Sequence, residues 1–483
     1  MDATLAPTES STDALAWAVK AFRDDRANLY RVYRQYIAGD QPLAFATPKF
    51  RSAFGLIFKE FAYNRCGTVV DAHADRLRVS GFGSSDDDAR RKAGEQGETM
   101  EDSTQTIAQL AQDLWDANLM DIHEGSVEME ALGLGDAYLL VEVHPITGAV
   151  QVWPQEADLI RVHYDPDQPG RIDLAAKAWK DEQDYMRLNI YFPDRIEKYR
   201  TLQRARSGMP VSVKAFERYQ PDSDTAWPVK LPFDDTVPVF HLANNGRINR
   251  YGESELQNVL RLQDGLNKTL MDMLITMEFA AFPQRILINV DVEEEGAGES
   301  IQRFQAAVDR LLTLTSSAEG KPPSISEFTA ANITQYLDVA ESWDVRISRV
   351  TKIPQRYLTQ DATQESGASK RMDEAPFTAK IEDRQRAFGA VYAAALTYGL
   401  RLQNVQVQPG DLRVNWVSAA PMAEEDTWTL AQQKRDVGMP FKAVIREIGY
   451  EPEQIQQIEA EKDAESEDLV IADFGRDVEG QVA

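Results

Sequence analysis

The sequence predicts an α+β protein, mainly helical, with one antiparallel β region and two long helices set around a small insertion. Three observations predict it. From Ser254 to Phe282 apolar residues recur every third or fourth position (Leu256, Val259, Leu262, Leu266, Leu270, Met273, Met277, Ala280), the stripe of a helix. A second stripe, Ile333, Tyr336, Ala340, Trp343, Ile347 and Val350, follows after an insertion of about fifty residues. Between residues 137 and 242 the apolar pattern becomes that of strands, broken by turn residues such as Pro145, Gly148 and Asp165-Pro166.

In chain order, residues 1–12 read as a polar tail, and Asp13 caps a predicted helix to about Ala38 with Leu15, Val19, Phe22, Leu29, Val32 and Tyr36 inward. Residues 50–79 predict two helices. The second carries Val69, Val70, Leu77 and a lone His73, which has no neighbouring His or Cys and reads as packed or solvent-facing. Residues 81–102 are charged and poor in apolar side chains, a loop or insert. Helix returns from Ser103 to Ala131, with Ile107, Leu110, Leu114 and Trp115 inward. Strands are expected at 138–143, 150–153, 159–164, 172–179, 185–192, 195–199, 211–219 and 237–242.

Ser254 with Gln257 reads as a capping box, and Pro283 stops the helix that follows. At 1.5 Å per residue this helix is roughly 40 Å long. Asp264, Lys268, Asp272 and Glu278 interrupt it, so it is not a membrane span. Alone it would read as a core helix. The second stripe, capped by Asn332 and running to about Lys352, makes the pair a helical hairpin with a head. The head holds a strand (285–290), an acidic loop, a short helix (301–312) and a Pro-rich turn. After Ile353-Pro354, the segment Thr359 to Gly367 (TQDATQESG) is small and polar, an exposed loop. A helix from Ala368 to Leu402, a strand at 405–417 and two helices split at Gly438-Met439-Pro440 complete the order. From Glu451 onward eleven acids face two basic residues, the mark of a helix with a solvated tail.

The totals exclude several classes. With 52 basic and 78 acidic residues the net charge is −26, the reverse of a protein that grips DNA with a basic face. One cysteine, Cys66, permits no internal disulfide. The polar, acidic N-terminus has no signal or transit pattern, and no apolar run reaches membrane length. No G-x-x-x-x-G-K-[ST] and no G-x-S-x-G is present. Gly133-Leu134-Gly135 lacks the third glycine of a dinucleotide fingerprint and precedes a strand. The stretch from Asp165 to Gly170 fails as a calcium loop and reads as a hairpin turn. The histidines at 73, 123, 144, 163 and 241 never stand at i, i+4 or beside the cysteine. Asp86-Asp87-Asp88 and Glu293-Glu294-Glu295 are solvated charge runs, so no metal and no cofactor is expected.

Four strings carry a family resemblance: NRCGTVVDAHADRLRVSGF (64–82), GRINRYGESELQNVLRLQDGLNKTLMDMLITMEFAAFPQR (246–285), KIPQRYL with ESGASKRMDEAPF (352–377) and REIGYEPEQIQQIE. With the order of elements, they make the chain resemble the portal proteins of tailed bacteriophages, of the type found in actinobacteriophages. The resemblance implies a non-enzymatic virion protein, assembled in the host cytoplasm as a ring of about twelve copies at one capsid vertex. Double-stranded DNA would pass through it, without sequence specificity, in packaging, retention and ejection. Implied partners are a terminase, a head-tail adaptor, and the major capsid and scaffolding proteins; no membrane is implied.

The resemblance also divides the chain: 1–245 as wing, 246–282 as first stem helix, 283–331 as clip and 332–353 as second stem helix. Residues 354–420 become the tunnel loop, long wing helix and strand, and 421–483 the crown and acidic tail. Thr359, Gln360, Asp361, Ala362, Thr363, Gln364, Glu365, Ser366 and Gly367 become a DNA-facing tunnel loop. Leu256, Val259, Leu266, Leu270, Met273, Met277, Trp343 and Ile347 become stem packing between subunits. Lys268, Lys352, Lys370 and Arg371 are candidate basic residues of the lumen, or else exposed or inter-subunit ion pairs. An acidic wall suits a conduit, because each firm phosphate contact adds salt-dependent affinity. The rival readings are another virion component, such as an adaptor or minor capsid protein, and a metal-dependent nuclease built on residues 86–88 or 293–295.

Overall fold

The computed structural model describes residues 11–41, 63–84, 106–205, 208–221, 224, 226–281, 285–288, 324–327, 332–359, 367–420 and 424–439, with 441, 444, 445, 455 and 458. The helix expected from Asp13 forms as two, α1 (Ser11–Ala21) and α2 (Arg26–Ala38). The break lies where the buried Arg161 guanidinium arrives. It donates to the Ala21 carbonyl at 3.3 Å and pairs with Asp24 at 3.4 Å, satisfying a helix end from outside. Helix α3 (Arg65–Ala74) is capped by Asn64, which accepts from the amides of Cys66 and Gly67. Strand β1 (Val79–Ser84) follows.

The helix expected over 103–131 also divides, into α4 (Ile107–Ala117) and α5 (Met120–Leu134), with Leu119 between them at φ 52°. A capping box forms here, between Thr106 and Gln109. Asn118 ends α4: its amide donates to Leu114 O (2.8 Å) and its Oδ1 accepts from Val152 N (2.9 Å), tying the corner to the next sheet.

The antiparallel region is two sheets. Strands β2 (Asp136–Val143), β3 (Val150–Gln155) and β10 (Val239–Ala243) pair in the order β10-β2-β3. The second sheet is a meander of β4 (Ile160–Tyr164), β5 (Ile172–Lys180), β6 (Met186–Tyr191), β7 (Arg195–Thr201) and β8 (Phe216–Arg218), with β9 (Val229–Lys230) on β7. The strand expected at 211–219 is shortened by a 3-10 turn at Val213–Ala215. Alternation assigns the faces. Ala175, Tyr191 and Ile196 pack on Tyr138, Leu140 and Val239 of the first sheet, while Leu174, Ala176, Leu188 and Ile190 pack on α1.

Next come α6 (Leu260–Ala281), the paired strands β11 (Arg285–Ile288) and β12 (Ser324–Glu327), and α7 (Thr334–Thr351). Helix α8 (Gly367–Leu402), β13 (Leu412–Trp416) and α9 (Glu424–Asp436) follow. The Ser254–Gln257 box does not cap α6. Ser254 Oγ donates instead to Gly133 O (2.5 Å) and accepts from Leu256 N (3.0 Å), and the helix begins at Leu260. Asn332 does hold the start of α7, accepting from Thr334 N at 3.0 Å. The strand expected at 405–417 is confined to β13, where its antiparallel partner is β1, more than three hundred residues away. The expected helices at 50–62 and 301–312, most of the insert at 81–102 and most of the acidic tail lie outside the described residues.

The main core gathers along α8, with Phe377, Ile381, Phe388, Tyr392 and Leu396 buried against α3, α5, β2 and the feet of α6 and α7. Among the described residues no helix is long and apolar enough to cross a membrane.

Candidate functional site

Helices α6 and α7, of 22 and 18 residues, lie antiparallel and reach roughly 33 and 27 Å at 1.5 Å per residue. Trp343 fixes their register. Its indole N–H donates to Thr269 Oγ1 at 3.1 Å, and its ring lies over Gly265, where a Cβ would fall 2.9 Å from the ring. Further along, the hydroxyls of Thr276 and Tyr336 are hydrogen-bonded at 3.1 Å.

The predicted packing stripe divides along the hairpin. Leu256, Val259, Leu266 and Ile347 are fully buried in their own chain and Leu270 nearly so, so they fasten the hairpin's foot to the main core and leave almost nothing for a neighbour. Met273 and Trp343 are half-buried beside that core. Met277 is 44% exposed. Leu337, Val339 and Val350 on α7 are also exposed. Leu337 and Val339 were not marked by sequence because they fall off the stripe; apolar residues off the stripe of a long helix are the signal that finds them.

The predicted basic residues have different surroundings. Lys268 is paired with Asp272 one turn on. Lys352 ends α7, exposed and at φ 66°. Lys370 and Arg371 fall in the first turns of α8. Of the predicted loop, Thr359 and Gly367 are described; residues 360–366 are not. Thr359 belongs to the turn before the loop, its amide donating to Gln355 O at 2.9 Å.

Both ends of that segment are tied to one carboxylate. Arg356 and Tyr357, just before it, bind Glu374, which lies on α8 seven residues after Gly367 and is 2% exposed. Arg76, at the end of α3, joins Glu374 at 3.6 Å. Arg65 grips Asp344 of α7 at 2.8 and 2.9 Å and also bonds the Leu358 carbonyl.

A second cluster sits at the hairpin's foot. Glu255 accepts from Lys380 and Arg384 of α8 and from Asn244, and Lys380 also donates to Thr351 O at 3.0 Å. Burial pushes His73 down to about 4, so it is neutral at pH 7, with Nδ1 donating to Val69 O at 2.7 Å and Nε2 3.9 Å from Glu255. Burial alone would raise the Glu255 carboxyl, but the surrounding positive groups hold it at about 2; near neutral pH these are Lys380 and Arg384. The two clusters bolt α6, α7 and α8 together at one joint. This geometry serves mechanical placement. Among the described residues no group of acids, histidines and cysteines is arranged to hold a metal, and the acidic runs of the nuclease reading lie outside them.

A family model, phage portal protein, SPP1 Gp6-like, matches residues 63–468. The chain belongs to that portal protein family. The match spans both hairpin helices, the Glu255 and Glu374 clusters and α8. Membership makes it a structural component of a phage virion. The portal protein of Mycobacterium phage L5 is 25% identical over 416 residues, covering 83% of this chain and 77% of that protein. That of Mycobacterium phage D29 is 28% identical over 227 residues, covering 44% of this chain and 46% of that protein. A chain of the solved structure titled "Virion of native gene transfer agent (GTA) particle" aligns with a TM-score of 0.41 at 14% identity, over 88% of this chain and 93% of that one.

Proposed function

We propose that this chain is the subunit of a ring-shaped channel at one capsid vertex, through which double-stranded DNA is packaged, retained and ejected. Membership of the portal family over residues 63–468 carries the reading. The hairpin supports it, because most of the stripe at its foot is buried in the chain, while Met277, Leu337 and Val339 on its outer part, and Val350 at the foot, stay exposed. Apolar surface of that kind is satisfied by neighbouring hairpins in a closed ring of about twelve copies. In this reading α6 and α7 are the stem, residues 283–331 the clip that docks a terminase and later a head-tail adaptor, and residues 1–245 with α8 the wing. Residues 421–483 form the crown, inside a shell of major capsid protein built on scaffolding protein. Assembly takes place in the host cytoplasm. The protein itself performs no catalysis.

A net charge of −26 keeps such a wall from holding its cargo, because phosphate contacts that would add friction are few. The loop 359–367 meets the DNA backbone with amides, hydroxyls and a glycine, and its acids Asp361 and Glu365 keep that contact loose. Electron microscopy of the purified protein tests the ring: closed rings with a central channel are expected, and particles no larger than a dimer would overturn the reading. Deleting residues 360–366 is expected to leave rings intact and impair DNA packaging or retention; DNA-filled heads at the normal yield would remove the loop from the mechanism.

A further inference from the structure

The hairpin's charges are segregated by height. The register set by Trp343 against Gly265 and Thr269, and by Tyr336 against Thr276, places Arg261 at the start of α6 level with Arg349 near the end of α7. Arg346 and Lys352 stand within a turn of that level. All four are exposed, and none has a carboxylate partner among the described residues. Arg346 is held over the Trp343 ring at 5.0 Å, which leaves its charge unneutralised. Elsewhere the arginines are mostly paired, as Arg65, Arg76, Arg187 and Arg384 are. The exposed acids of α7, Asp338 and Glu341, stand toward the other end of the hairpin. Asp338 and Arg349 are eleven residues apart, about 16 Å along the helix.

We infer that Arg261, Arg346, Arg349 and Lys352 form a basic collar at the foot of the hairpin that contacts the phosphate backbone of duplex DNA. The inference rests on the channel reading above and deepens it. Rotation about a ring axis carries each residue to the same height in the next subunit. With the hairpin running along that axis, bases meet bases and acids meet acids. Glu341, the nearer acid, is eight residues or about 12 Å from Arg349, still beyond the screening length of about 10 Å at 0.1 M salt, so the exposed acids of a neighbour's α7 reach Arg346, five residues from Glu341, but not Arg261, Arg349 and Lys352. Arg261, Arg349 and Lys352 therefore stand open to a polyanion, and the polyanion of a DNA channel is its cargo. Four cations per subunit, without a carboxylate partner among the described residues of a strongly acidic chain, give a local, non-specific and salt-sensitive contact beside the segment that begins at Thr359.

The test uses the full chain with Arg261→Gln, Arg349→Gln and Lys352→Gln combined, and a mixed-sequence 30-base-pair duplex carrying a fluorescent label. Anisotropy is read from 25 to 200 mM KCl, and assembly is read by sedimentation and electron microscopy. Wild type is expected to bind weakly with a steep salt dependence. The triple variant is expected to bind at least tenfold more weakly at 50 mM salt, with a log-log slope smaller by about 2 to 3, while assembling as wild type does. Equal affinity and slope in the two proteins, or no binding by wild type at 25 mM KCl, would overturn the collar. So would a variant that fails to assemble while wild type forms rings, since the cations would then serve contacts between subunits. If wild type forms no rings, the channel reading fails, and the comparison of the two proteins on DNA still decides the collar.

Discussion

Arg384 of α8 and Glu255, just before α6, form a buried ion pair at 2.9 Å. The pair joins the longest helix of the chain to the foot of the hairpin, and Lys380 extends it to the last turn of α7. Neither acid nor cations could be buried alone, because an isolated charge loses its hydration without compensation. Glu255→Ala leaves Lys380 and Arg384 facing each other without their carboxylate. The expected cost is about 3–5 kcal/mol, the usual range for breaking a buried pair from one side. The midpoint of urea unfolding measures it, and a shift worth less than about 1 kcal/mol would show that the cluster is wetter than its geometry implies.

The same cluster predicts a pH dependence through His73. Its folded pKa of about 4 lies below an unfolded value of about 6.5. A depressed histidine stabilises the fold fully above 6.5, and that contribution is lost as pH falls from 6.5 to about 4. The loss is about 3 kcal/mol at 1.4 kcal/mol per pH unit. Glu255 adds nothing in that window, since a carboxyl held at about 2 begins to lose its contribution only below its unfolded value of about 4.3. His73→Leu should therefore flatten the stability profile between pH 6.5 and 4, read from melting at half-unit steps. An unchanged acid limb would assign the loss to other groups.

How far the fold is legible in the sequence depends on how local each cause is. The stripes of α6 and α7 are legible because helical period is a property of neighbouring residues, and their turn-back around an insertion follows from Pro283 and Asn332. The helix breaks at residues 22–25 and at Asn118 and Leu119 are not legible, because Arg161 and Val152 arrive from other elements to satisfy the helix ends. The joint at the hairpin's foot is hidden for the same reason. Glu374 and Glu255 look like ordinary surface acids of helical segments until the fold brings Arg76 and Lys380 beside them. Arg65 bonds Leu358 across 293 positions, a spacing no periodicity carries. The buried halves of the stripes could not be told from exposed ones either, since period gives the face of a helix and not its depth.

Glu128 gives a prediction of opposite sign. It is fully buried on α5, its nearest donor is the Tyr392 hydroxyl at 3.5 Å, and burial with the nearby Glu124 pushes its pKa well above the carboxyl range. A raised carboxyl contributes its full stability below its unfolded value of about 4.3 and loses it as pH rises toward the folded value. As pH rises above that unfolded value the unfolded chain gains by ionising before the folded one does. Glu128→Gln removes that difference and keeps the shape. The variant should match wild type at pH 4 and exceed it in stability at pH 7, the gap widening as pH rises above about 4.3. Equal stability at both pH values would mean that Glu128 ionises freely in the fold.

The hairpin's exposed surface supplies the test that separates assembly from folding. Leu270 is a poor probe, because it is buried in its own chain, and Leu270→Asp would unfold the foot whether or not rings form. Met277 and Val350 are 44% and 47% exposed in the single chain. Substitution of such residues by aspartate should change the stability of the isolated subunit by no more than about 0.5 kcal/mol. In the proposed ring the same side chains would be covered by a neighbour, and a buried unpaired carboxylate at every repeat would weaken each interface. Met277→Asp and Val350→Asp should therefore keep the wild-type melt of the subunit and shift sedimentation from rings toward single chains. Rings that form at wild-type concentration from both variants would place the contacts between subunits elsewhere on the chain, on the wing side of the joint.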